Sequence, residues 1–452
     1  MKRQKKLGIL TAVLVVCIAG AVMLSRMDFE EKMTGTETTI VDVDSTEITA
    51  LSWKYEDEVN FQYKDGEWKN TDDEEMPVNQ ELLGEIAENL SNITSDKRVE
   101  EADSLSMYGL SEPAYSITIE ADKTYEISIG DETFTDGEVY ISVGDEYVYL
   151  TDAELVDAIS YNLYDLVQEE EIPEMENISS VNIQKESPVN LVYKEDSGYC
   201  YSDAYTYYLK DGEEYKNLDN DNTKSTFTAL TEFSWEECVD YHADDSEMKS
   251  YGLDDPDAEV TVSYTDEDGE EQEFIYELAF VDESYYARIQ DSRMVYRVSQ
   301  EVYDTAENAS YNELKPNEVI LLDWDTVDSI DIESDGNLYT VNLESRGDDE
   351  YTYTFGGEEI SFADVLEELS SVTTAEDLEK QPELGDNKEE LVLTFHRNTD
   401  DYTAVELIFY QYDGSYCIPV LDGVQLDCVS REDVISLKEA INSVILDSEN
   451  GE

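Results

Sequence analysis

Residues 108–120 read YGLSEPAYSITIE, and residues 251–264 read YGLDDPDAEVTVSY. The two stretches share a Tyr, a Gly, a Leu and a Pro at the same spacing, and they begin 143 residues apart. In each, the glycine can supply a turn, the leucine can pack beneath it, and the proline favours an extended backbone before the next strand. The strand that follows alternates apolar and polar residues, which predicts a sheet with one buried and one solvated face. Recurrence of one unit at this spacing indicates a fold built from repeats.

The rest of the unit repeats in the same order. After the motif come a second alternating strand, a hairpin and the start of a helix, and a third copy keeps this order without the Tyr-Gly-Leu signature. Thr151, Ser299 and Ser430 stand where the closing helices should begin, and two of them have an acid three residues on. The predicted hairpins span residues 140–150, 286–298 and 416–428.

The front half of the unit also repeats, as an entering strand, a hairpin and an amphipathic helix. The clearest hairpin spans residues 61–69 and turns at Asp65-Gly66, which places Tyr63 opposite Trp68. Apolar residues then recur at helical spacing. The predicted helix faces consist of Leu82, Leu83, Ile86, Leu90 and Ile93 in the first copy and of Phe362, Val365, Leu366, Leu369 and Val372 in the third.

These patterns predict an α+β fold built from tandem repeats. Each repeat is expected to be an antiparallel β-sheet of hairpins with helices packed on one face. The strand alternation leaves the charged residues on the solvated face. The repeat boundaries are predicted at residues 48–171, 172–315 and 316–452, the last unit being divergent.

The amino end carries a targeting signal. Residues 1–6 hold four Lys or Arg and no acid, and residues 7–24 are an uninterrupted run of apolar or small residues. Such a run is long enough to be a transmembrane helix, and the basic stub predicts that the amino end stays in the cytoplasm. Two alternatives stay open, a secretory signal cleaved near Ala19-Gly20-Ala21 and a lipoprotein signal ending at Cys17. In all three cases the bulk of the chain is extracytoplasmic, and residues 25–47 are expected to form a polar stalk.

The composition is strongly acidic. Of 452 residues, 111 are Asp or Glu and 28 are Lys or Arg, and the formal net charge is -83. This charge argues against nucleic acid or an anionic lipid surface as a main partner. The chain still holds 40% hydrophobic residues and 33 tyrosines, which is enough apolar and strand-favouring material to fold.

Few residues match a known catalytic or metal-binding pattern. His242 and His396 are the only histidines in the sequence and fall in different predicted repeats, which argues against a hydrolase triad or a zinc site. Asp219, Asp221 and Thr223 match the first ligand positions of a hand-type calcium loop, but a lysine stands where that loop needs a glycine. We therefore predict no catalytic, cofactor-binding or metal-binding residue.

Four cysteines follow the predicted anchor: Cys200, Cys238, Cys417 and Cys428. A hairpin that turns at Asp422-Gly423 would place Cys417 directly opposite Cys428, so these two form a candidate disulfide. The alternative is that both are buried thiols of a protein from a reducing environment.

Several elements of the chain carry a family resemblance. They are Trp68 followed by Asp72-Asp73 and Pro77, the two Tyr-Gly-Leu motifs, the Ile129-Gly130-Asp131 turn, and the stretch from Asn162 to Pro173. Over residues 48–310 the sequence resembles the bacterial domain-of-unknown-function 4340 proteins, whereas the third copy departs from their pattern. The resemblance implies a cell-envelope protein with an amino-terminal anchor, associated in some members with ABC-type export or gliding-motility machinery. It implies no catalytic residues.

The predicted function is that of a non-enzymatic, extracytoplasmic scaffold of the cell envelope. We expect a single-pass protein of the cell membrane, held there by its amino-terminal helix and accessory to an ABC-type transport system, a partner that the resemblance alone implies. The alternative is a surface module that binds glycans or cations. A carboxylate-dependent glycan hydrolase is the third hypothesis, and it would need a cleft where acids converge away from solvent.

Overall fold

The computed structural model describes residues 33–99, 104–133, 137–195, 198–347, 350–376, 382–385 and 387–449. Over these ranges the chain forms three mainly antiparallel β-sheets and a small number of helices, which confirms the α+β class. The basic stub at 1–6 and the predicted transmembrane helix at 7–24 lie outside the described residues. Within those residues, no helix is both long and apolar enough to span a membrane.

The first sheet has nine strands within the described residues. The predicted hairpin is confirmed, because Tyr63 pairs with Trp68 and Asp65 and Gly66 both take positive φ angles at the turn. Helices α1 (Gln80–Ser91) and α2 (Glu154–Asp157) lie in the same part of the chain as this sheet. Its strands are β1 Met33–Asp42, β2 Ala50–Lys54, β3 Glu58–Lys64, β4 Glu67–Asn70, β5 Asn92–Val99, β6 Tyr115–Glu120, β7 Thr124–Glu132, β8 Glu138–Ser142 and β9 Val148–Asp152.

Strand β1 differs from the expectation for the amino-terminal part. Residues 25–47 were expected to be a polar stalk, but Met33–Asp42 forms a strand that pairs antiparallel with β5. The open edge of β5 supplies hydrogen-bond partners, and the β-branched threonines of this segment suit an extended backbone. Val41 is fully buried, so the segment also contributes to the core.

The second sheet follows the same plan. Its strands are β10 Glu176–Gln184, β11 Val189–Tyr193, β12 Tyr207–Asp211, β13 Glu214–Asn217, β14 Glu237–Asp240, β15 Ala258–Thr265, β16 Glu271–Val281, β17 Ser284–Ile289 and β18 Val295–Arg297. The described residues of this part of the chain also form the helices α3 Asn220–Thr231, α4 Asp245–Ser250, α5 Gln300–Asn308 and α6 Tyr311–Leu314. Helices α3 and α5 contact each other, and α5 packs on β15 and β16.

The third sheet completes the described chain. Its strands are β19 Val327–Ser334, β20 Asn337–Gly347, β21 Glu350–Phe355, β22 Glu358–Ile360, β23 Thr374–Glu376, β24 Glu389–Arg397, β25 Ala404–Gln411, β26 Tyr416–Leu421, β27 Val424–Gln425 and β28 Cys428–Ser430. Helices α7 (Ala363–Ser371) and α8 (Arg431–Glu449) pack against each other, and α8 lies on β24, β26 and β28.

The sheets share one strand order. Read from the front hairpin, the first sheet runs β4-β3-β2-β6-β7-β8-β9-β5 and the third runs β21-β20-β19-β24-β25-β26-β28-β23. The second follows this order from β12 through β11, β10, β15 and β16 to β17. In each, the entering strand pairs antiparallel with the strand that opens the back half of the unit. The third copy therefore keeps the topology although it lacks the Tyr-Gly-Leu motif.

The predicted helix starts are confirmed at two of three positions. The Ser299 hydroxyl caps α5 by accepting a hydrogen bond from the Val302 amide, and the Ser430 hydroxyl accepts one from the Asp433 amide at the start of α8. The prediction was wrong at Thr151. That residue lies in β9, and its hydroxyl donates across the sheet to the Thr94 carbonyl, so it cannot cap α2.

The chain divides into two compact units. One ends at Glu171 and also takes in Glu237–Asp244 and Arg293–Tyr296; the other begins at Ile172 and holds the rest of the second sheet together with the third. The three predicted repeats thus describe internal similarity, and their boundaries as domains stay a prediction. Within the second unit, one hydrophobic cluster joins Tyr205 and Tyr208 to Ile330, Leu393 and Phe395.

Candidate functional site

The Tyr-Gly-Leu motifs have a structural role in both copies. Gly109 and Gly252 take φ angles of 73° and 75°, where glycine is favoured, and the leucine that follows each is buried. The motif tyrosines also make matching ring contacts, Tyr108 with Tyr140 and Tyr251 with Tyr286, each at 5.0 Å between centroids and 59° between planes. These residues hold each unit together and leave no free side chain for recognition.

Neither histidine is placed as the general base of a nucleophilic hydroxyl. His396 Nε2 lies 2.9 Å from Asp331 Oδ2, and the Thr340 hydroxyl donates to Asp331 Oδ1 at 2.6 Å. These hydrogen bonds lower the pKa of Asp331, the one from Thr340 having the larger effect. The carboxylate therefore stands between the hydroxyl and the imidazole, whereas nucleophilic catalysis needs the imidazole next to the hydroxyl. His242 is exposed, and its backbone amide donates to Asp240.

The calcium-like pattern belongs to a helix start. The Asp219 carboxylate caps α3 by accepting a hydrogen bond from the Asn222 amide at 2.7 Å, and Asp221 and Thr223 lie in the first turn. Thr223 is fully buried. A helical backbone cannot wrap these side chains around one ion as a hand-type loop does. Throughout the described part of the chain, no group of three or more His, Cys, Asp or Glu is placed to hold a metal ion.

The candidate disulfide rests on a pairing that differs from the one found. Leu421 pairs with Val424 next to the Asp422-Gly423 turn, as predicted, but farther along β26 Cys417 pairs with Val429 and not with Cys428. The register moves by one residue between β27 and β28. The Cys417 thiol is buried, and burial raises its pKa to about 11. The Cys417–Cys428 cross-link stays a prediction.

Several basic residues are engaged inside the fold. Arg288 pairs with the buried carboxylate of Glu277 on the neighbouring strand. The Lys185 ammonium donates hydrogen bonds to the carbonyls of Ala306 and Ala309, both at 2.9 Å, and so caps the carboxyl end of α5. Burial lowers the pKa of this lysine. These two cations therefore stabilise a pair of strands and the end of a helix.

A second group of cations converges on Glu390, whose side chain is 5% exposed. Its carboxylate accepts hydrogen bonds from Lys388 at 3.1 Å, Arg431 at 3.0 Å and Lys438 at 3.3 Å. Burial acts to raise the pKa of Glu390, but these charged donors outweigh it and lower the pKa to about 2. The cluster ties β24 to α8.

A third buried cation, Arg397, joins the second sheet to the third. The Arg397 side chain is 4% exposed; Nε donates to the Thr326 hydroxyl at 2.8 Å, and another nitrogen binds the Tyr201 carbonyl. The Asp323 carboxylate accepts a hydrogen bond from Arg397 at 3.3 Å and another from the backbone amide of Asp203 at 2.9 Å. The guanidinium is thus enclosed by residues of both repeats.

An acidic cleft of about 820 Å³ lies beside β5, β9 and α2. Its charged lining residues are Asp96, Glu138, Asp152, Glu154 and Asp157. Glu138 is paired with Lys97 at 3.0 Å, and the other four are exposed. A glycosidase acid needs a carboxyl group held away from water, so these exposed carboxylates fit attraction of positive charge better than hydrolysis.

An aromatic platform, which we define as Phe280, Tyr285 and Tyr303, lies where β16, β17 and α5 meet. Its ring centroids are 4.8 Å apart for Phe280 and Tyr285, 5.2 Å for the two tyrosines and 5.9 Å for Phe280 and Tyr303. Phe280 is 45% exposed. Asp257 Oδ2 accepts hydrogen bonds from the Tyr303 hydroxyl at 3.0 Å and the Phe280 amide at 2.8 Å. No sequence motif marks these residues.

The comparisons with known proteins identify the family and nothing more specific. The family model described as "Domain of unknown function (DUF4340)" matches residues 68–202 and 208–390. The match continues past residue 310, so it includes the front of the third repeat, which the sequence resemblance had left out. Neither the curated proteins nor the solved structures contain a match. The chain therefore belongs to the DUF4340 family.

Proposed function

We propose that the protein is a non-enzymatic, extracytoplasmic scaffold of the cell envelope that binds basic partners through its acidic surface. Residues 7–24 would hold it in the membrane, and an ABC-type transport system is the partner we expect. The observation that carries the proposal is the unequal placement of charge: several cations are engaged inside the fold, while carboxylates line the exposed cleft.

The excess of negative charge supports the proposal. The sequence holds 111 acids against 28 basic residues, and four of the basic ones precede residue 7. Arg288, Arg397 and Lys438 are at most 17% exposed, so their charge is taken up by carboxylates within the fold. The remaining field is negative, which steers basic partners toward the surface and repels acidic ones.

The fold suits a scaffold because it repeats. The same strand order recurs in the sheets along the chain. Such repetition favours binding of extended or multiple partners, in which several weak contacts act together. Each contact between exposed charges is worth only about 0.2–1 kcal/mol, so a broad surface is needed for stable binding.

Cross-linking on intact cells tests both the location and the role. A membrane-impermeant cross-linker is added to cells that carry the tagged full-length protein, and the products are identified by mass spectrometry. We expect adducts with envelope proteins before lysis. Adducts that form only after the cells are broken would contradict an extracytoplasmic location, and a protein that is reached by the reagent but joined to no partner would contradict the scaffold.

A surface module that binds glycans or cations is the second candidate. The aromatic platform is the observation that favours a glycan, because exposed rings stack on sugar faces; the acidic cleft favours a cation. Titration of the full-length protein with neutral oligosaccharides and with calcium tests this candidate. Saturable binding that is lost on replacing Phe280 or the cleft carboxylates would support it.

A further inference from the structure

The aromatic platform combines features that a purely structural cluster does not need. Phe280 is a large apolar side chain that remains 45% exposed, next to two tyrosines that are only partly exposed. Phe280 and Tyr285 are a cross-strand pair, and the turn between their strands consists of Asp282 and Glu283. Both turn residues have positive φ angles, 49° and 65°, which non-glycine residues seldom adopt. The backbone thus holds the two rings side by side at the end of the hairpin.

Asp257 is fixed at the border of the platform. One oxygen, Oδ2, accepts hydrogen bonds from both the Tyr303 hydroxyl and the Phe280 amide. Asp257 is itself exposed, so its carboxylate is oriented by the platform while it still faces solvent. An oriented carboxylate beside exposed rings can bind a group that is positively charged and able to lie on an aromatic face.

Other carboxylates surround Tyr303. Burial raises the pKa of the Tyr303 hydroxyl, and so do its hydrogen bond to Asp257 and the negative charges of Asp257, Glu307 and Asp304. Lys185 contributes one positive charge at the end of α5, against the three carboxylates that act on Tyr303. The field at the rings is therefore negative.

We propose that the aromatic platform and Asp257 bind a cationic side chain, arginine or lysine, of a partner polypeptide. The proposal rests on the proposed function, because it names one place where the acidic scaffold would hold a basic partner. The charges decide the occupant. A neutral sugar could stack on the rings and donate hydroxyl hydrogen bonds to Asp257, but it has no net charge for the surrounding carboxylates to attract, whereas a cation is attracted by both the rings and the charges.

The test uses the full-length protein in detergent and a short labelled peptide with two arginines, at about 150 mM salt to screen distant charge. The matched peptide carries citrulline at both positions, which keeps the shape and removes the charge. The protein variants are Phe280→Ala and Phe280→Leu, the second retaining apolar packing without the π face. Tyr412→Ala is the control, because Tyr412 is 43% exposed and lies outside the platform.

We expect both Phe280 variants to weaken arginine-peptide binding about fivefold, since a cation over an exposed ring contributes modestly and neither variant changes the net charge. Tyr412→Ala should bind as the wild type does, and the citrulline peptide should bind poorly to every form. Wild-type affinity in Phe280→Leu, or equal binding of the two peptides, would overturn the proposal. Binding of a neutral oligosaccharide that depends on Phe280 would overturn it too, because the occupant would then be a sugar.

The result of the peptide-binding test can be distinguished from the result of the cross-linking test of the scaffold proposal. If Phe280 has no effect while cross-linking still recovers basic envelope partners, the partners bind elsewhere on the acidic surface. If both experiments fail, the scaffold itself is wrong.

Discussion

At the scale of single residues, Gly109 adopts a backbone conformation that favours glycine, and the space around it has no room for a side chain. Its φ angle is 73°, and a Cβ atom there would come within 2.6 Å of the Asp131 backbone nitrogen. We expect Gly109→Ala to lower the free energy of unfolding by about 1–3 kcal/mol, measured by denaturant titration. Gly84 lies inside α1 with open space around it, so Gly84→Ala should instead raise stability, by about 0.5–1 kcal/mol. Equal effects at the two glycines would contradict the structural role of the motif.

Removal of the buried Glu390 carboxylate should lower stability. Glu390→Gln deprives Arg431, Lys388 and Lys438 of their shared buried partner, although the exposed Asp335 still pairs with the two lysines, and we expect a loss of about 3 kcal/mol in unfolding free energy. The neighbouring exposed carboxylate offers a matched control, and Glu389→Gln should change stability by less than about 0.5 kcal/mol.

The same carboxylate predicts a pH dependence. Its pKa in the folded protein is about 2, below the ordinary value of 4.5, so its stabilising effect is complete above about pH 4.5 and is lost as the pH falls through 2. The difference in stability between wild type and Glu390→Gln should therefore shrink over this interval. A difference that stays constant from pH 6 to pH 2.5 would show that the carboxylate is not held in its charged form.

At the scale of secondary-structure elements, Lys185 determines how α5 ends. Its ammonium satisfies carbonyls of the last helical turn, which otherwise lack partners. Lys185→Met should lower stability by about 1–2 kcal/mol and speed hydrogen exchange in residues 303–309. Lys210→Met, at an exposed lysine in a hairpin, is the control. Unchanged exchange in α5 would contradict the cap.

Most elements could be predicted because their signals are local. The Asp65-Gly66 turn fixed the pairing of Tyr63 with Trp68, and helical spacing located α1 and α7. The missed elements depend on distant partners. Strand β1 is Thr-rich and without an apolar period, and it becomes a strand because β5 offers an open edge.

The sites were harder to predict for the same reason. The prediction that Cys417 faces Cys428 extends the Asp422-Gly423 register across β28, but the short β27 and the residues after it shift the register by one. The aromatic platform was missed because its turn, Asp282-Glu283, has no glycine or asparagine to indicate it, and Tyr303 comes from a separate helix. Exposed carboxylates gave no guidance, since they occur throughout the sequence.

At the scale of the whole molecule, Arg397 should couple the second sheet to the third. Arg397→Met would leave Asp323 and the Tyr201 carbonyl without their buried partner. We expect the chain near Lys315-Pro316 to resist a nonspecific protease in the wild type and to be cleaved faster in this variant. Arg397→Lys, which keeps the charge but not the fork of donors, should be intermediate. Equal cleavage rates would mean that the two sheets are held together by the hydrophobic cluster alone.

The most direct test of the scaffold is affinity capture of the full-length protein from gently solubilised membranes of its own host, at low and at high salt. Co-purifying proteins are identified and quantified by mass spectrometry. We expect an envelope partner, transport subunits foremost, at near-stoichiometric amounts at low salt and released at high salt, because exposed charges provide the contact. Recovery of the protein alone, or of partners that salt does not release, would contradict it.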